Sequence, residues 1–319
     1  MLSRRLIRIK VLQALYSFFI SADNDLPAAE KLLIRNIDRV YELYIHILSF
    51  LVELHEFYQQ RTEEAKEKFL PTDEERNPNA RFVDNRVAKQ LFENKDLRKK
   101  CQQFKVIWAD ETEMFRTIYH DLKASKEYSD YLNAPSCTYD DDRNFLIRIV
   151  RNFVYPSHTL QSYFEERNIH WADDFDTSLM MVLTTLKAFG AGQDEFVPLP
   201  TLFDDDDDES EDLSFARNLF SKTIIYSNEF SALISAKAEN WEIERIALMD
   251  VILLKMAITE LLHMSSIPIK VTLNEYIEIA KQYSTPKSKI FVNGILDKLI
   301  VQFRENNELQ KTGRGLIDN

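Results

Sequence analysis

The sequence predicts an all-α protein, and two features of its composition support this fold class. Only 5 glycines and 9 prolines occur among 319 residues, so the turn residues that a many-stranded sheet needs are scarce. Leu, Ile, Glu and Lys are abundant, and apolar residues recur in steps of three and four along the chain. A chain of this length holds two domains of ordinary size, or one large domain with an insertion.

Residues 1–20 are predicted to form a basic helix that begins after Ser3 as its cap. Its charged residues are Arg4, Arg5, Arg8 and Lys10. Because the three arginines share one helix face, their guanidinium groups repel each other, and a phosphate backbone would relieve this repulsion. A solvated helix face is the alternative. The formal net charge of -12 argues against a protein that coats nucleic acid generally, but it permits a local basic patch.

The middle of the chain reads as a series of helices without a recognisable motif. Residues 28–68 contain apolar positions too dense for a lone surface helix, so they need a partner to bury against. Residues 70–82 read as a loop, and further helices are predicted at 84–105, 108–132, 141–155, 157–168 and 174–189. Residues 204–212 hold eight acids among nine positions, which is typical of a solvated linker.

The C-terminal third returns to strong helical periodicity from Leu213 onward. The tetrapeptide Thr272-Leu273-Asn274-Glu275 has the capping-box pattern, which predicts a helix start at residue 273. In the last helix the apolar residues step by four and predict a core-facing row: Phe291, Ile295, Leu299 and Phe303. Residues 306–319 are predicted to be a flexible, frayed tail.

Motifs of enzymes and metal sites are absent from the sequence. No GxGxxG, P-loop, HExxH or GxSxG pattern occurs, so we predict neither an enzyme nor a bound cofactor or metal. His170 beside Asp173 and Asp174 is interpreted as a capping or surface arrangement. Cys101 and Cys137 lack metal-ligand spacing and are interpreted as reduced thiols. Without a long apolar segment or a signal sequence, the protein is predicted to be cytoplasmic.

Four phrases of the sequence together carry a family resemblance. They are RLIRIKVLQALYSF (5–18), NWEIERIALMDVILLKMAITELL (240–262), IPIKVTLNEYIEIAKQYS (267–284) and SKIFVNGILDKL (288–299). In order and spacing they resemble the helices of NusB-type transcription antitermination proteins. The resemblance covers residues 1–20 and 213–303, about a third of the chain. It implies a compact, all-helical NusB-like bundle with an additional helical region inserted after the first helix.

The resulting domain prediction has five parts: a first helix (1–20), an inserted helical region (21–203), an acidic linker (204–212), a NusB-like core (213–305) and the tail (306–319). A helical bundle also gives the Asn293-Gly294 pair a physical interpretation. Gly294 would let a neighbouring helix approach closely, and Asn293 would bond a backbone group of the preceding loop.

The resemblance implies a factor that holds boxA-like single-stranded RNA in the transcription elongation complex. Basic side chains would hold phosphates, Gln13 and Tyr16 would offer an amide and a ring to a base, and Asp250 would accept from a base edge. The implied RNA-binding residues are Arg4, Arg5, Arg8, Lys10, Gln13, Tyr16, Asp250, Lys287 and Lys289.

The resemblance also implies a protein partner, the ribosomal protein NusE. The implied partner-binding residues are Glu260, Asn274, Glu275, Glu278, Lys281 and Ser288. An alternative is a protein-interaction scaffold that kept the fold and lost RNA binding, which the acidic net charge favours. An RNA methyltransferase with this fold as a leading domain is disfavoured, because no glycine-rich cofactor loop follows the bundle.

Overall fold

The computed structural model of the chain describes residues 2–21, 25–203, 210–238 and 246–316. Within these ranges the regular structure is helical and no strand occurs, which confirms the all-α prediction. The α-helices are α1 Arg4–Ile20, α2 Leu26–Lys66, α3 Asp73–Arg76, α4 Arg86–Glu93, α5 Lys95–Gln103, α6 Thr112–Ala124, α7 Lys126–Asn133, α8 Tyr139–Ile149, α9 His158–Arg167, α10 Phe175–Ala188, α11 Glu211–Ile225, α12 Ser227–Lys237, α13 Leu248–His263, α14 Ile269–Tyr283 and α15 Ser288–Glu305.

The chain divides into two compact units, one of which is inserted into the sequence of the other. The discontinuous unit comprises Met1–Ile37 and Phe203–Asn319, and the inserted unit comprises Asp38–Leu202. The boundary falls inside α2, so the first turns of that helix belong to the discontinuous unit rather than to the insertion expected from residue 21. Because α2 runs unbroken for 41 residues, neither its sequence nor its helical pattern marks this boundary.

The discontinuous unit is built around α13, which is buried on nearly all sides. Residues 252–261 are all buried, as expected of a helix that is apolar around its whole circumference. Helices α1, α11, α12, α14 and α15 pack against it. The N-terminus of α1 is capped by Ser3, whose hydroxyl accepts a hydrogen bond from the Leu6 amide at 3.2 Å. This cap confirms the predicted start of the first helix.

The last helix, α15, contributes its predicted row of apolar residues to the core. Phe291, Ile295, Leu299 and Phe303 are all at most 5% exposed. The interpretation of Asn293-Gly294 is wrong, however. Gly294 is exposed, and a Cβ placed on it meets no atom within 4 Å. Asn293 donates to the Asp297 carboxylate one turn along the same helix, at 2.9 Å, rather than to a preceding loop.

Replacement of Gly294 by Ala is therefore expected to stabilise the protein by up to about 1 kcal/mol, because Ala favours the helix and meets open space. Thermal or urea unfolding measures this change. Gly315→Ala is the contrasting variant, since its Cβ would lie 2.0 Å from the Ser265 carbonyl oxygen. A loss of stability in Gly294→Ala would show that the helix surface around residue 294 is covered.

The predicted start of the helix after Thr272 is also wrong. Helix α14 begins at Ile269, directly after Pro268, and Thr272 lies inside it with no exposed surface. Its hydroxyl donates to the carboxylate of Glu260 at 2.7 Å instead of capping a helix end. The Thr272 hydroxyl, which would cap the helix in a capping box, is therefore bonded to the buried Glu260 of the neighbouring helix.

The C-terminal segment packs against the end of α13, which differs from the frayed tail expected from the sequence. The Lys311 side chain is buried, and its ammonium group donates to the carbonyl oxygens of Glu260 at 3.2 Å and Met264 at 2.9 Å. The amide of Thr312 donates to the Ser265 carbonyl at 3.0 Å. A cation at the carbonyl end of a helix is favoured by the helix dipole and satisfies carbonyls that lack helical partners.

The predicted helices of the inserted unit are broken more often than their periodicity suggests. Asn94 separates α4 from α5, because its side chain accepts from the Leu97 amide at 2.7 Å and so caps a new helix. Ser125 separates α6 from α7 by accepting from the Tyr128 amide at 3.1 Å. After α8 the chain continues as a π-helical turn, Val150–Val154. The predicted helical region 28–68, in contrast, falls almost entirely within the single helix α2, which ends at Lys66.

Aromatic rings dominate the core of the inserted unit. Phe50 stacks on Phe115 with ring centroids 4.9 Å apart, and Tyr131 stacks on Phe145 at 3.9 Å.

Both cysteines are free thiols: Cys101 is half-buried and Cys137 is exposed. The described ranges contain no group of three or more His, Cys, Asp or Glu placed to hold a metal ion. None of the described helices is long and apolar enough to cross a membrane.

The buried His46 of this core makes the stability of the inserted unit sensitive to acid. It is 2% exposed and donates from Nδ1 to the Glu42 carbonyl at 2.9 Å. Burial lowers the pKa of His46 to about 4, whereas in an unfolded chain it lies near 6.5. The unfolded state therefore takes up a proton first, and this contribution to stability is lost as the pH falls from about 6.5 to 4.

We expect this loss to reach about 3 kcal/mol over that interval. In His46→Leu the unfolding free energy should fall less steeply between these pH values than in the wild type. Denaturant titrations at several pH values measure both slopes. Replacing the exposed His158 by Leu is the matched control and should leave the wild-type slope. Equal slopes in wild type and His46→Leu would contradict the assignment to His46.

Candidate RNA and partner interface

Arg8 of α1 and Glu260 of α13 form a buried, two-bonded ion pair. The Arg8 Nε and Nη2 atoms donate to the two carboxylate oxygens of Glu260, each at 2.8 Å. Both side chains are buried, with 3% and 0% exposed. Burial acts to lower the pKa of Arg8, but the bonds and charge of Glu260 raise it above its ordinary value. The arginine is therefore charged at every pH at which the protein is folded.

Two hydroxyls of α14 complete the surroundings of the Glu260 carboxylate. Thr272 Oγ1 donates to Oε1 at 2.7 Å, and Tyr276 Oη donates to Oε2 at 3.2 Å. We call Arg8, Glu260, Thr272 and Tyr276 the buried ion-pair cluster. A buried charge pair is tolerated only when its remaining hydrogen-bonding positions are filled. The cluster meets this condition and joins α1, α13 and α14.

The other two arginines of the predicted phosphate-binding face also have acidic partners. Arg5 donates to both carboxylate oxygens of Glu275, at 2.7 and 2.8 Å, and this contact lowers the pKa of Glu275. Arg4 contacts Asp212 at 3.3 Å and Glu211 at 3.2 Å. Glu211 and Asp212 were predicted to belong to the acidic linker, but they are the first two residues of α11. The remaining acidic run, 204–209, lies outside the described residues.

These pairs correct the prediction of an exposed arginine face. Arg8 and Lys10 are each only 2% exposed, and Arg8 is drawn inward by the carboxylate of Glu260. The repulsion among the three arginines is relieved by carboxylates of α11, α13 and α14, without a phosphate. One sequence signal pointed to this pairing: Glu260 is a single acid in the otherwise apolar stretch MAITELL, and such an acid requires a buried partner.

Asp250 orders the loop between α14 and α15. It is 5% exposed, and its two oxygens accept from Ser284 Oγ at 2.6 Å and Ser288 Oγ at 2.7 Å. Ser288 Oγ also lies 2.8 Å from Thr285 Oγ1. Both oxygens predicted to meet a base edge are therefore occupied by loop hydroxyls. The geometry gives Asp250 a positioning role for residues 284–289, which comprise this loop and the first two residues of α15 and are called the loop 284–289 below.

That loop carries two exposed cations. Lys287 and Lys289 are exposed, and neither forms an ion pair with a residue in the part of the chain that the structure describes. Ile290 beside them is 67% exposed. Positive charge at the N-terminus of an 18-residue helix such as α15 is unfavourable for the helix. The two lysines are thus available for an external anion, and helix stability does not account for them.

Tyr16 and Gln13 lie on the C-terminal half of α1. Arg8 contacts Glu260, whereas Phe19 contacts Lys255, whose ammonium lies 5.1 Å from the ring centroid. Helix α1 therefore runs toward the N-terminal half of α13, the half that holds Asp250. Tyr16 is 39% exposed and Gln13 is half-buried. The partly exposed Tyr16, on the half of α1 that lies toward the Asp250 end of α13, offers a ring on which a base can stack.

The residues predicted to bind a protein partner divide into exposed and buried groups. Asn274, Glu278 and Lys281 are exposed on one side of α14, and Lys281 pairs with Glu278. Glu275 on the same helix is occupied by Arg5. Glu260 and Ser288 are 0% and 2% exposed, which corrects their predicted surface position. Both belong to internal hydrogen-bond networks, and that is why they are buried.

Val271 is a member of the exposed side of α14 that sequence reasoning missed. It is 42% exposed and precedes Asn274 and Glu278 by three and seven positions, so the three residues share a helix face. Exposed apolar groups beside polar ones are typical of a protein contact surface. The spacing of Val271 from Asn274 and Glu278 was visible in the sequence, but the periodicity did not show whether this face of the helix is buried or exposed.

Comparisons with known proteins identify relatives of the C-terminal part of the chain. The NusB family model matches residues 180–301. Over 111 residues the chain is 48% identical to "Transcription antitermination protein NusB" of Salinibacter ruber, covering 35% of this chain and 69% of that protein. Over 104 residues it is 42% identical to the protein of the same name from Chloroherpeton thalassium, covering 33% and 49%.

The protein of this name from Thermodesulfovibrio yellowstonii is 43% identical over 86 residues, covering 27% of this chain and 57% of that protein. The chain thus spans only about half the length of the last two relatives. No solved structure matches the chain significantly. The match to the Salinibacter ruber protein, at 48% identity over more than two thirds of its length, shows that the chain belongs to the NusB family.

Proposed function

We propose that this protein is a transcription antitermination factor that binds boxA-like single-stranded RNA together with the ribosomal protein NusE. The observation that carries the RNA-binding part is the loop 284–289, where Asp250 holds the backbone beside two exposed lysines that form no ion pair with a described residue. An ordered loop with free cations favours phosphate binding, since little conformational entropy is lost when the RNA docks. No catalytic step is part of this function.

The basic helix α1 supplies further contacts in this proposal. Arg4 and Arg5 have 37% and 50% of their side chains exposed, and ion pairs at such exposure contribute little to stability. A phosphate can therefore replace their carboxylate partners at small cost. Tyr16 supplies a stacking ring, and Gln13 lies one turn before it. Arg8 acts from within the fold, by fixing α1 against α13, and the buried Lys10 is not assigned an RNA contact.

The exposed side of α14 is the partner surface in this proposal. Val271, Asn274 and Glu278 offer an apolar group, an amide and a carboxylate along one helix face, with Lys281 at its end. Glu275 and Glu260 set the position of this helix through their bonds to Arg5 and Arg8. NusE binding is thus assigned to the face of α14 opposite the buried ion-pair cluster.

Fluorescence anisotropy with a short, labelled boxA-like RNA tests the proposal, with and without NusE and at several salt concentrations. We expect binding that weakens as salt rises, and tighter binding when NusE is present. A scrambled RNA of the same length and composition is the control. If the boxA-like RNA binds no better than the scrambled one in either condition, the scaffold alternative takes the place of this function.

A further inference from the structure

Helix α5 of the inserted unit carries a basic face within an acidic chain. Spaced by three and four residues, its exposed members share one side of the helix: Lys95, Arg98, Lys99 and Gln102. We call these four residues the α5 basic face. Across the described ranges of the chain, none of its three cations forms an ion pair. Lys95 is moreover the first residue of α5, where helix stability does not favour a positive charge.

Lys100, by contrast, points away from this face and its charge is compensated. It lies 3.8 Å from the Asp96 carboxylate and 5.0 Å above the ring of Tyr41. The same helix thus separates an internally neutralised lysine from three cations that form no ion pair with any described residue. Such a separation favours an external anion for the α5 basic face, rather than an internal ion-pair network.

Two exposed phenylalanines flank the α5 basic face. Phe92 is 41% exposed and Phe196 is 67% exposed, which is unusual for rings of this size. The chain around Phe196 is fixed beside the start of α5. The Lys95 amide donates to the Glu195 carbonyl at 2.8 Å, and the Asn94 amide group donates to the Val197 carbonyl at 2.8 Å. Both rings are therefore presented next to the cations by ordered backbone.

Arg98 is held directly over one of these rings. The centre of its guanidinium lies 4.8 Å from the centroid of Phe92, and its Nε donates to the Phe92 carbonyl at 2.8 Å. No other hydrogen bond of this guanidinium occurs with a described residue. Burial raises the pKa of nearby Glu56 while the charge of Arg98 acts to lower it, yet the two side chains do not pair.

Two of the acids next to this surface, Asp96 and Asp194, are engaged by backbone amides. Asp96 accepts from the Leu199 amide at 2.9 Å, and Asp194 accepts from the Phe196 amide at 3.0 Å. These bonds hold the segment 194–199 in place and reduce the ability of both carboxylates to compete for the cations. The local charge available to a ligand is thus more positive than the composition of the inserted unit indicates.

We propose that the α5 basic face, with Phe92 and Phe196, is a second RNA site that binds single-stranded RNA without sequence preference. Cations that follow a phosphate backbone, combined with exposed rings on which bases stack, are the features by which proteins hold unpaired strands. Double-stranded nucleic acid would leave the rings unused, because its bases are already stacked. The inference rests on the proposed function only in taking RNA as the nucleic acid.

The test is the affinity of the full chain for a labelled oligouridine, which lacks any boxA-like sequence. In the triple variant Lys95→Ala, Arg98→Ala, Lys99→Ala we expect about tenfold weaker binding at low salt. The slope of log affinity against log salt should fall by about 2, because each single-strand phosphate contact contributes about 0.7. The matched control removes three exposed lysines from other helices of the inserted unit: Lys123, Lys126 and Lys187. It should change affinity by less than about twofold.

Phe196→Leu separates stacking from charge. It should weaken oligouridine binding about fivefold or more while leaving the salt slope unchanged. Equal losses in the triple variant and its matched control would overturn the inference, since net charge alone would then explain the effect. An unchanged affinity in the triple variant would overturn it as well, because the RNA would then not contact these cations.

The boxA-like RNA distinguishes this inference from the proposed function. Substitutions on the α5 basic face should weaken binding of a short boxA-like RNA less than substitutions of Lys287 and Lys289 do, because only the proposed boxA site prefers that sequence. Failure of boxA recognition with intact oligouridine binding at α5 would refute the proposed function alone. Failure of oligouridine to respond to α5 substitutions, with boxA recognition intact, would refute the second site alone.

Discussion

Replacement of Arg8 by Ala is expected to destabilise the discontinuous unit by about 3–5 kcal/mol. The substitution leaves the Glu260 carboxylate, which has no exposed surface, without its counter-ion, and an uncompensated buried charge costs about this much. An exposed helix-face arginine, as the sequence suggested, would cost no more than about 0.5 kcal/mol. Guanidinium denaturation followed by far-UV circular dichroism measures the difference.

Two further variants separate the buried charge from the loss of packing. Arg5→Ala removes a comparable two-bonded pair at an exposed position and should cost no more than about 1 kcal/mol. In the double variant Arg8→Met, Glu260→Gln no charge remains, and Gln can still accept from Thr272 or Tyr276. We expect the double variant to be more stable than Arg8→Ala. A cost below about 1 kcal/mol for Arg8→Ala would mean that water reaches Glu260.

Periodicity made part of this fold predictable. The steps of four in α15 identified its buried row, because this pattern depends only on which side of a helix is buried. The capping of α1 by Ser3 was also predictable, because an N-cap hydrogen bond joins residues only three positions apart. Local chemistry fixes such features without information about distant parts of the chain.

The pairing of Arg8 with Glu260 could not be predicted in this way, because 252 positions separate the two residues. Arginines on a helix face attract phosphates and carboxylates alike, and only the fold shows which anion lies opposite. The position of Gly294 illustrates another limit: a missing side chain suits both a close helix crossing and open solvent. Breaks at Asn94 and Ser125 were missed because a capping residue resembles any polar residue of a helix surface.

The candidate site was predicted better in its loop than in its first helix. The exposure of Lys287 and Lys289 follows from their place in the turn YSTPKSK, where Pro286 interrupts the helical pattern. The role of Asp250 could not be read from the sequence. It depends on Ser284 and Ser288, which reach its carboxylate only once α13 and α15 are packed. These contacts form only in the folded protein, so a sequence resemblance can point to Asp250 but cannot show which groups its carboxylate bonds.

Reversal of both loop charges, Lys287→Glu with Lys289→Glu, is expected to abolish most binding of the boxA-like RNA. Two phosphate contacts would be lost and replaced by repulsion, and the slope of log affinity against log salt should fall by about 1.4. Stability should be unchanged or slightly higher, because both residues are exposed and acids are favoured at the N-terminus of a helix. A loss of binding would therefore not reflect unfolding.

The matched control reverses two exposed charges farther along the same helix, Lys298→Glu with Arg304→Glu, and should leave binding within about twofold of wild type. Asp250→Ala gives an intermediate case, since it keeps both lysines but releases the hydroxyls of Ser284 and Ser288 that hold the loop. Its affinity should fall while its salt slope stays at the wild-type value, because the charges are present but no longer held in place. If the loop reversal and its control bind RNA equally well, the RNA does not contact the loop, and Arg4, Arg5 and Tyr16 become the candidates for the contact.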